Sequence, residues 1–333
     1  MQNQRITLSL EGGGLSLPEE GQILVFNATP ESDLDSLPKE RVVAVQGFKP
    51  DYDALAGAGY SVVTAPEGTY AMAIVFLPRA KAEARAMIEA ATRFCPDGLV
   101  VVDGQKTDGI DGIYKACRKV ADCSSAFSKS HGKTFWFPAV HAFEDWAAPQ
   151  DPTEVAPGFV TRPGVFSADG IDPGSKILAD LLPEKLGADV ADFGAGWGWL
   201  SAQVLTRESV KSLHLVEADH AALECARENI ADPRAEFHWA DVTRYKSLPA
   251  FDTVVMNPPF HTSRAADPAI GKAFLAAAAR FLKPRGHLWV VANRHLPYEA
   301  DLNELYRNVE EVGGDNRFKV FHASQPAQKT RNI

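Results

Sequence analysis

Ala188-Asp189-Val190-Ala191-Asp192-Phe193-Gly194-Ala195-Gly196-Trp197-Gly198-Trp199-Leu200-Ser201-Ala202-Gln203-Val204-Leu205 reads as a short buried strand, a glycine loop and a helix. That order lets backbone approach a ligand closely at a helix N-terminus. The glycines are spaced Gly-x-Gly-x-Gly, not the Gly-x-Gly-x-x-Gly of the dinucleotide fingerprint. An acid, Asp192, stands directly before them, where a carboxylate suits a cationic ligand. The ammonium and sulfonium of S-adenosylmethionine meet that description. A second strand at 213–217 ends in Glu217, placed to accept both ribose hydroxyls as strand-end acids do in related nucleotide folds. After a helix over 220–230, a third strand ends in Asp241, an acceptor for the adenine amino group.

Further on, the apolar strand 251–256 runs into Asn257-Pro258-Pro259-Phe260. Such a turn suits the presentation of a planar amino nitrogen to a methyl donor. The lone pair of that nitrogen is delocalised, which makes it a poor nucleophile. The Asn257 side-chain oxygen and the Pro258 carbonyl can accept its two N–H bonds and draw the lone pair back. The two prolines stiffen the turn, and Phe260 offers a face for a flat, extruded base. His261 follows, and its reading as a base or as a hydrogen-bonding scaffold group stays open.

Apolar residues make up 45% of the 333 and charged residues 23%, the balance of a soluble protein with room for two domains. No apolar run approaches a membrane span, and the polar start is not a signal peptide. With four cysteines and no Cys-x-x-Cys, a reduced cytoplasm is expected. No metal site is expected either: Cys117, Cys123 and His131 fit no standard ligand spacing. The net charge of −9 runs against the basic footprint usual for nucleic-acid enzymes. Basic residues do gather, however, after the Asn-Pro-Pro turn (Lys272, Arg280, Lys283, Arg285, Arg294, Arg307, Arg317, Lys319) and at Lys115, Arg118, Lys119, Lys129 and Lys133. No sequence feature marks an oligomer interface, and a monomer is expected.

Prolines at 149, 152, 157 and 163 mark a linker, giving expected domains 1–155 and 156–333. The second domain alternates strands and helices: a helix at 274–282, a fifth strand at 287–291, and a last, antiparallel strand at 317–322. Strands at 23–26, 41–45, 60–63, 70–76, 99–102 and 134–137, with helices at 81–94 and 112–120, repeat that rhythm in the first. Its first strand leads into Asn27-Ala28-Thr29-Pro30, without a glycine loop, and its fourth into Leu77-Pro78-Arg79. The expected fold is α/β: two tandem, doubly wound, Rossmann-type class I methyltransferase-like domains, the N-terminal one degenerate.

Nearly the whole chain resembles the bacterial ribosomal RNA guanine-N2 methyltransferases, most closely the small-subunit (16S) enzyme. The likeness rests on 163–175, the Asp192 loop, Asn257-Pro258-Pro259-Phe260-His261, 291–298 and 317–320, and on 77–86 and 102–104 in the first half. It implies an EC 2.1.1 enzyme, transferring methyl from S-adenosylmethionine to the exocyclic amine of a ribosomal guanine in the 30S subunit. By this resemblance Asp192, Gly194 and Gly196 line the methionine end of the cofactor, Glu217 holds ribose and Asp241 adenine. Asn257 and Pro258 hold the guanine amine and Phe260 stacks on its ring. Phe166 and Ser167 are candidates for closing over cofactor or base. The N-terminal domain is left with RNA or ribosome recognition, or stability. Trp197 and Trp199 depart from the expected loop in their bulk. Alternatives stay open: a large-subunit (23S) guanine-N2 enzyme, a DNA adenine or protein glutamine methyltransferase, or an assembly factor with a vestigial site.

Overall fold

The computed structural model describes residues 4–149, 151–259 and 268–327. The chain divides into two compact units, Met1–Asp151 and Pro152–Ile333. The expected boundary at 155/156 lies inside a small hairpin of the second unit, β8 (Thr153–Ala156) with β9 (Phe159–Thr161). Among the described residues no helix is long and apolar enough to cross a membrane.

The first unit holds β1 (Ile23–Phe26), β2 (Val42–Val45), β3 (Ser61–Val63), β4 (Met72–Phe76), β5 (Leu99–Gln105), β6 (Phe127–Lys129) and β7 (Gly132–Pro138). They form one sheet in the order β3-β2-β1-β4-β5-β7-β6. β1 to β5 run parallel, while β7 pairs antiparallel with β5. The Val- and Ile-rich strands are buried on both faces, as a helix-covered parallel sheet requires. The helices are α1 (Arg5–Glu11), α2 (Lys49–Gly57), α3 (Lys81–Phe94) and α4 (Ile110–Cys117). Burial pushes the Cys117 thiol up to about 12 and the Cys123 thiol up to about 11.

The second unit repeats this topology. Its strands are β10 (Asp189–Phe193), β11 (Ser212–Glu217), β12 (Ala235–Trp239), β13 (Phe251–Met256), β14 (Leu282–Asn293), β15 (Tyr306–Gly314) and β16 (Phe318–Pro326). Their order is β12-β11-β10-β13-β14-β16-β15, position for position that of the first sheet. The helices are α5 (Pro173–Leu181), α6 (Trp199–Leu205), α7 (His220–Asn229), α8 (Pro268–Phe281) and α9 (Tyr298–Leu305).

The sequence reading does not name α1, α2, β6, the β8–β9 hairpin or α9, and other elements differ from it in bounds or existence. β14 begins five residues early because Pro284 cannot continue α8 and biases the residue before it to extended backbone. β15 was not expected: Tyr306-Arg307-Asn308-Val309-Glu310-Glu311 lacks an apolar alternation and is held as an edge strand by pairing with β16. α4 lies two to three residues upstream of the expected 112–120, starting after the left-handed Gly109.

The basic cluster after the Asn-Pro-Pro turn is largely consumed by structure. Lys283 bridges Asp189 and Asp252, Lys319 pairs with Glu299 while buried, and Arg294 pairs with Glu311. Arg280 donates to the carbonyls of Val242 and Tyr245.

In the first unit, Arg5 of α1 is buried and donates from Nε and Nη2 to both carboxylate oxygens of Asp103 on β5, each at 2.7 Å. Removing one partner of such a pair strands the other charge in a low-dielectric core. Arg5→Met is therefore expected to cost about 3–5 kcal/mol, read as a lower urea midpoint for loss of the first unit's structure. A loss under about 1 kcal/mol, the surface-pair range, would contradict this.

Candidate active site

In the second sheet the chain runs from β10 outward to β12, then returns to β13 on the other side of β10. Ligands of open α/β sheets bind at such a switch point, beyond the carboxyl ends of the strands. The register sets Phe193 beside Met256, so Gly194 and Asn257 emerge side by side.

The loop after β10 has positive φ at Gly194, Gly196 and Gly198, a conformation open to glycine at little cost. A Cβ on Gly198 would lie 2.8 Å from Ile230 and 3.1 Å from the Ala226 side chain, so α7 packs against bare backbone there. A Cβ on Gly196 would meet nothing within 4 Å. That glycine faces open space.

A crevice at this point is lined by Phe166, Ser167, Asp192, Gly194, Gly196 and Asn257, with Asp172, Ser175 and Trp197. Of the expected site residues, these six come together. Pro258 is buried directly behind Asn257. Phe260 and His261 lie outside the described residues. Glu217, half-buried at the end of β11, joins the loop by accepting from the Gly196 N–H at 2.8 Å. Its other oxygen accepts from the Asp219 N–H, also at 2.8 Å. Asp241 is not in the crevice lining: its Oδ1 accepts from the backbone N–H and the hydroxyl of Thr243, at 2.9 and 2.6 Å.

Asp192 is 1% exposed. Its Oδ2 accepts from Ser201 at 2.7 Å, and its Oδ1 is buried without a hydrogen-bond partner. Burial pushes the carboxyl up to about 7, the Ser201 bond opposes, and the Glu217 charge adds to the rise. Burial raises Glu217 as well, against the two backbone N–H groups that stabilise its anion. The unit thus carries two acids at a cost, with one buried carboxylate oxygen left without a hydrogen-bond partner.

Asn257 is oriented from outside the turn. Its Nδ2 donates to Asp172 Oδ2 at 2.8 Å and Ser175 Oγ at 2.9 Å. A carboxylate only accepts, so the amide nitrogen must face Asp172 and the amide oxygen must turn away from it. Asp172 caps α5 with the same oxygen, accepting from the Ser175 N–H at 2.8 Å. Asp172-Pro173-Gly174-Ser175 is legible in sequence as a helix cap with proline at the first helical position; its hold on a residue 85 positions away is not.

Trp197 resolves its own oddity. It is buried, and its Nε1 donates to the Phe166 carbonyl at 3.1 Å, tethering the 165–167 segment to the glycine loop. Phe166 itself is 58% exposed. Ser167 adopts positive φ and bonds back to the Gly170 carbonyl.

Residues 157–322 match the Methyltransferase small domain family. The chain is 32% identical over 237 residues to ribosomal RNA small subunit methyltransferase C of Hahella chejuensis, covering 66% of this chain and 67% of that protein. It is 28% identical to the protein of that name from Psychromonas ingrahamii, over 77% and 76% of the two chains. Ribosomal RNA large subunit methyltransferase G of Streptomyces avermitilis is 37% identical over 48% of this chain and 43% of its own. Among solved structures, the T. thermophilus 16S rRNA N2 G1207 methyltransferase, in complex with AdoMet and guanosine, has the same fold. Its TM-score is 0.78 at 23% identity, over 93% of this chain and 90% of that one. On these matches the chain belongs to the ribosomal RNA small subunit methyltransferase C family.

Proposed function

We propose that this chain methylates the exocyclic N2 amine of a guanine in 16S ribosomal RNA, with S-adenosylmethionine as donor and the 30S subunit as partner, in the cytoplasm. The observation that carries the reading is Asn257, its amide nitrogen pinned by Asp172 and Ser175, beside an unsatisfied buried carboxylate. The T. thermophilus enzyme, which binds AdoMet and guanosine, shares the fold that creates this crevice.

The residues present fit the cofactor. Asp192 Oδ1 is a buried acceptor that a ligand ammonium would satisfy, and the bare backbone at Gly196, with Gly194 in the same crevice lining, leaves room for the methionine end. Glu217 keeps a lone pair on each oxygen for ribose hydroxyls after accepting two backbone N–H groups. Asp241, whose Oδ2 lies 3.8 Å from Arg244 Nε, is proposed to accept from the adenine amino group. The bound donor would supply an electrophilic sulfonium methyl for in-line transfer to nitrogen, with S-adenosylhomocysteine as the leaving group.

The chain's own part is alignment and charge placement. Asn257 Oδ1 and the Pro258 carbonyl accept the two amine hydrogens and raise electron density on nitrogen. After attack the amine is strongly acidic, and its proton leaves along one of those bonds to solvent. Phe260, by proposal, stacks on the guanine, and Phe166 and Ser167, tied to the loop through Trp197, close over cofactor or base. The target guanine must be unstacked for this.

The first unit is proposed as a domain for RNA or ribosome recognition, or stability, that binds no cofactor. By sheet register Asn27 takes the place of Gly194, Gln46 that of Glu217 and Phe76 that of Asn257. The Asn27 amide donates to the Phe76 carbonyl at 3.0 Å across the switch point, and Gln46 donates to the Ala28 carbonyl at 2.7 Å. Amides stand at these positions where the second unit has glycine and acid, which supports the reading.

Labelled S-adenosylmethionine, offered with 30S subunits, 50S subunits and naked ribosomal RNAs, tests the assignment. The expected product is N2-methylguanine in 16S RNA. Label in 23S RNA instead would favour the large-subunit reading that the Streptomyces likeness keeps alive, and cofactor binding without label would favour an assembly factor. Asn257→Ala is expected to lower kcat by about 10²–10³ with cofactor affinity little changed.

Calorimetry on the full chain should find one cofactor per chain and none in Asp192→Asn; a site surviving that substitution would place a ligand in the first unit. Affinity should fall by up to about tenfold per pH unit below 7, where Asp192 holds its proton, and stay flat above. Stability moves the opposite way. A carboxyl raised in the folded state destabilises folding as pH climbs from its unfolded value of about 4 to its folded value. Ligand-free Asp192→Asn should therefore match wild type near pH 4 and exceed it at pH 8, by up to about 4 kcal/mol.

A further inference from the structure

β11 and β12 lie side by side in parallel register, with His214 opposite Glu236 and Val216 opposite His238. Three donors converge there. His214 Nδ1 lies 2.9 Å from His238 Nε2 and 3.6 Å from Glu236 Oε2, and all three ligand atoms fall within 4.8 Å of one another. His214 is buried, His238 half-buried and Glu236 exposed. The Phe251 ring, 5.2 Å from the His214 ring, walls the inner side. Spacing alone hides this cluster, because one imidazole sits on each of two strands and the acid alternates with the second.

We propose that His214, Glu236 and His238 form a binding site for a divalent transition-metal ion of the zinc class, with the fourth coordination position open to water. A simple histidine pair would need one proton between the two facing nitrogens. That proton cannot also serve Glu236, whose carboxylate approaches the same Nδ1. A shared cation satisfies all three lone pairs together. Two imidazoles and one carboxylate around an open position is an established zinc ligand set. Magnesium and calcium, which demand mostly oxygen, fit poorly. Nitrogens bound at about 2.0–2.1 Å to a tetrahedral ion stand roughly 3.4 Å apart, so the rings open by about half an ångström. Glu236, at the surface, swings in freely. Bound metal would clamp the edge strand β12 to β11, whose end carries Glu217 three residues on.

The test uses the full chain stripped by chelator, then titrated with Zn²⁺ or Mg²⁺, beside Glu236→Gln and His238→Gln. Both variants leave the cofactor crevice intact. Wild type should bind one Zn²⁺ and gain roughly 5–10 °C in Tm at a hundredfold excess over Kd, with no response to Mg²⁺. Co²⁺ in its place should give visible bands of a four-coordinate site. Both signals should disappear in each variant. Undiminished Zn²⁺ binding in either variant removes that residue from the ligand set and overturns the site. Absence of both the Tm shift and the Co²⁺ bands in wild type overturns it equally.

Discussion

The parallel pairing of β10 with β13 is the constraint on which the active crevice depends. Because Phe193 faces Met256, the glycine loop and the Asn-Pro-Pro turn leave the sheet at one level, and donor and acceptor groups meet without further adjustment. A slip of one residue would turn Asn257 to the opposite face of the sheet and bury its amide in the core. Register is held by the apolar side chains of β10, β13 and β14, which are buried on both faces. The site borrows its precision from a core that takes no part in the chemistry.

Precision in the turn comes from a second, longer-range device. Asp172 uses one carboxylate oxygen to cap α5 and to hold the Asn257 amide. Helix start and the Asn-Pro-Pro turn are thus fixed by the same atom, and the amide oxygen is turned away from it. Opposing this economy is the cost at Asp192. A buried carboxyl with one bare oxygen destabilises the ligand-free unit, and the molecule tolerates it where a cation would relieve it.

Much of this was legible in the sequence, and the part that was not has a physical reason. Asp192, Gly194, Gly196 and Asn257 were readable because each sits at the end of a strongly apolar strand, where local pattern and chemistry coincide. Glu217 was placed correctly at its strand end, yet its bonds to the Gly196 and Asp219 backbone depend on loop conformation. Asp241 announced itself as a strand-end acid but stands beyond the crevice lining, with one oxygen spent on Thr243. Trp197 looked like a misfit because its bulk is accommodated by residues 165–167, far off in sequence. β15 stayed hidden because an exposed edge strand needs no apolar alternation. His214, Glu236 and His238 were silent for a similar reason: their convergence belongs to strand pairing, not to spacing.

The two sheets share one plan and differ in the groups they place at the switch point. Strand order and register are the same, so the fold alone decides nothing about chemistry. In the first unit Gln46 repeats the backbone contact of Glu217, accepting from the N–H two residues on, at 2.8 Å in both. Its other atom is a nitrogen, however, and donates to Ala28 where Glu217 accepts from Gly196. Exchanging one oxygen for an amide nitrogen reverses the direction of a hydrogen bond, and the first unit's loop is closed by a neutral amide. Asn27 completes the closure by bridging to Phe76 across the switch point. The first sheet thus keeps the strand order and register of the second, with neutral amides where the second has glycine and an acid.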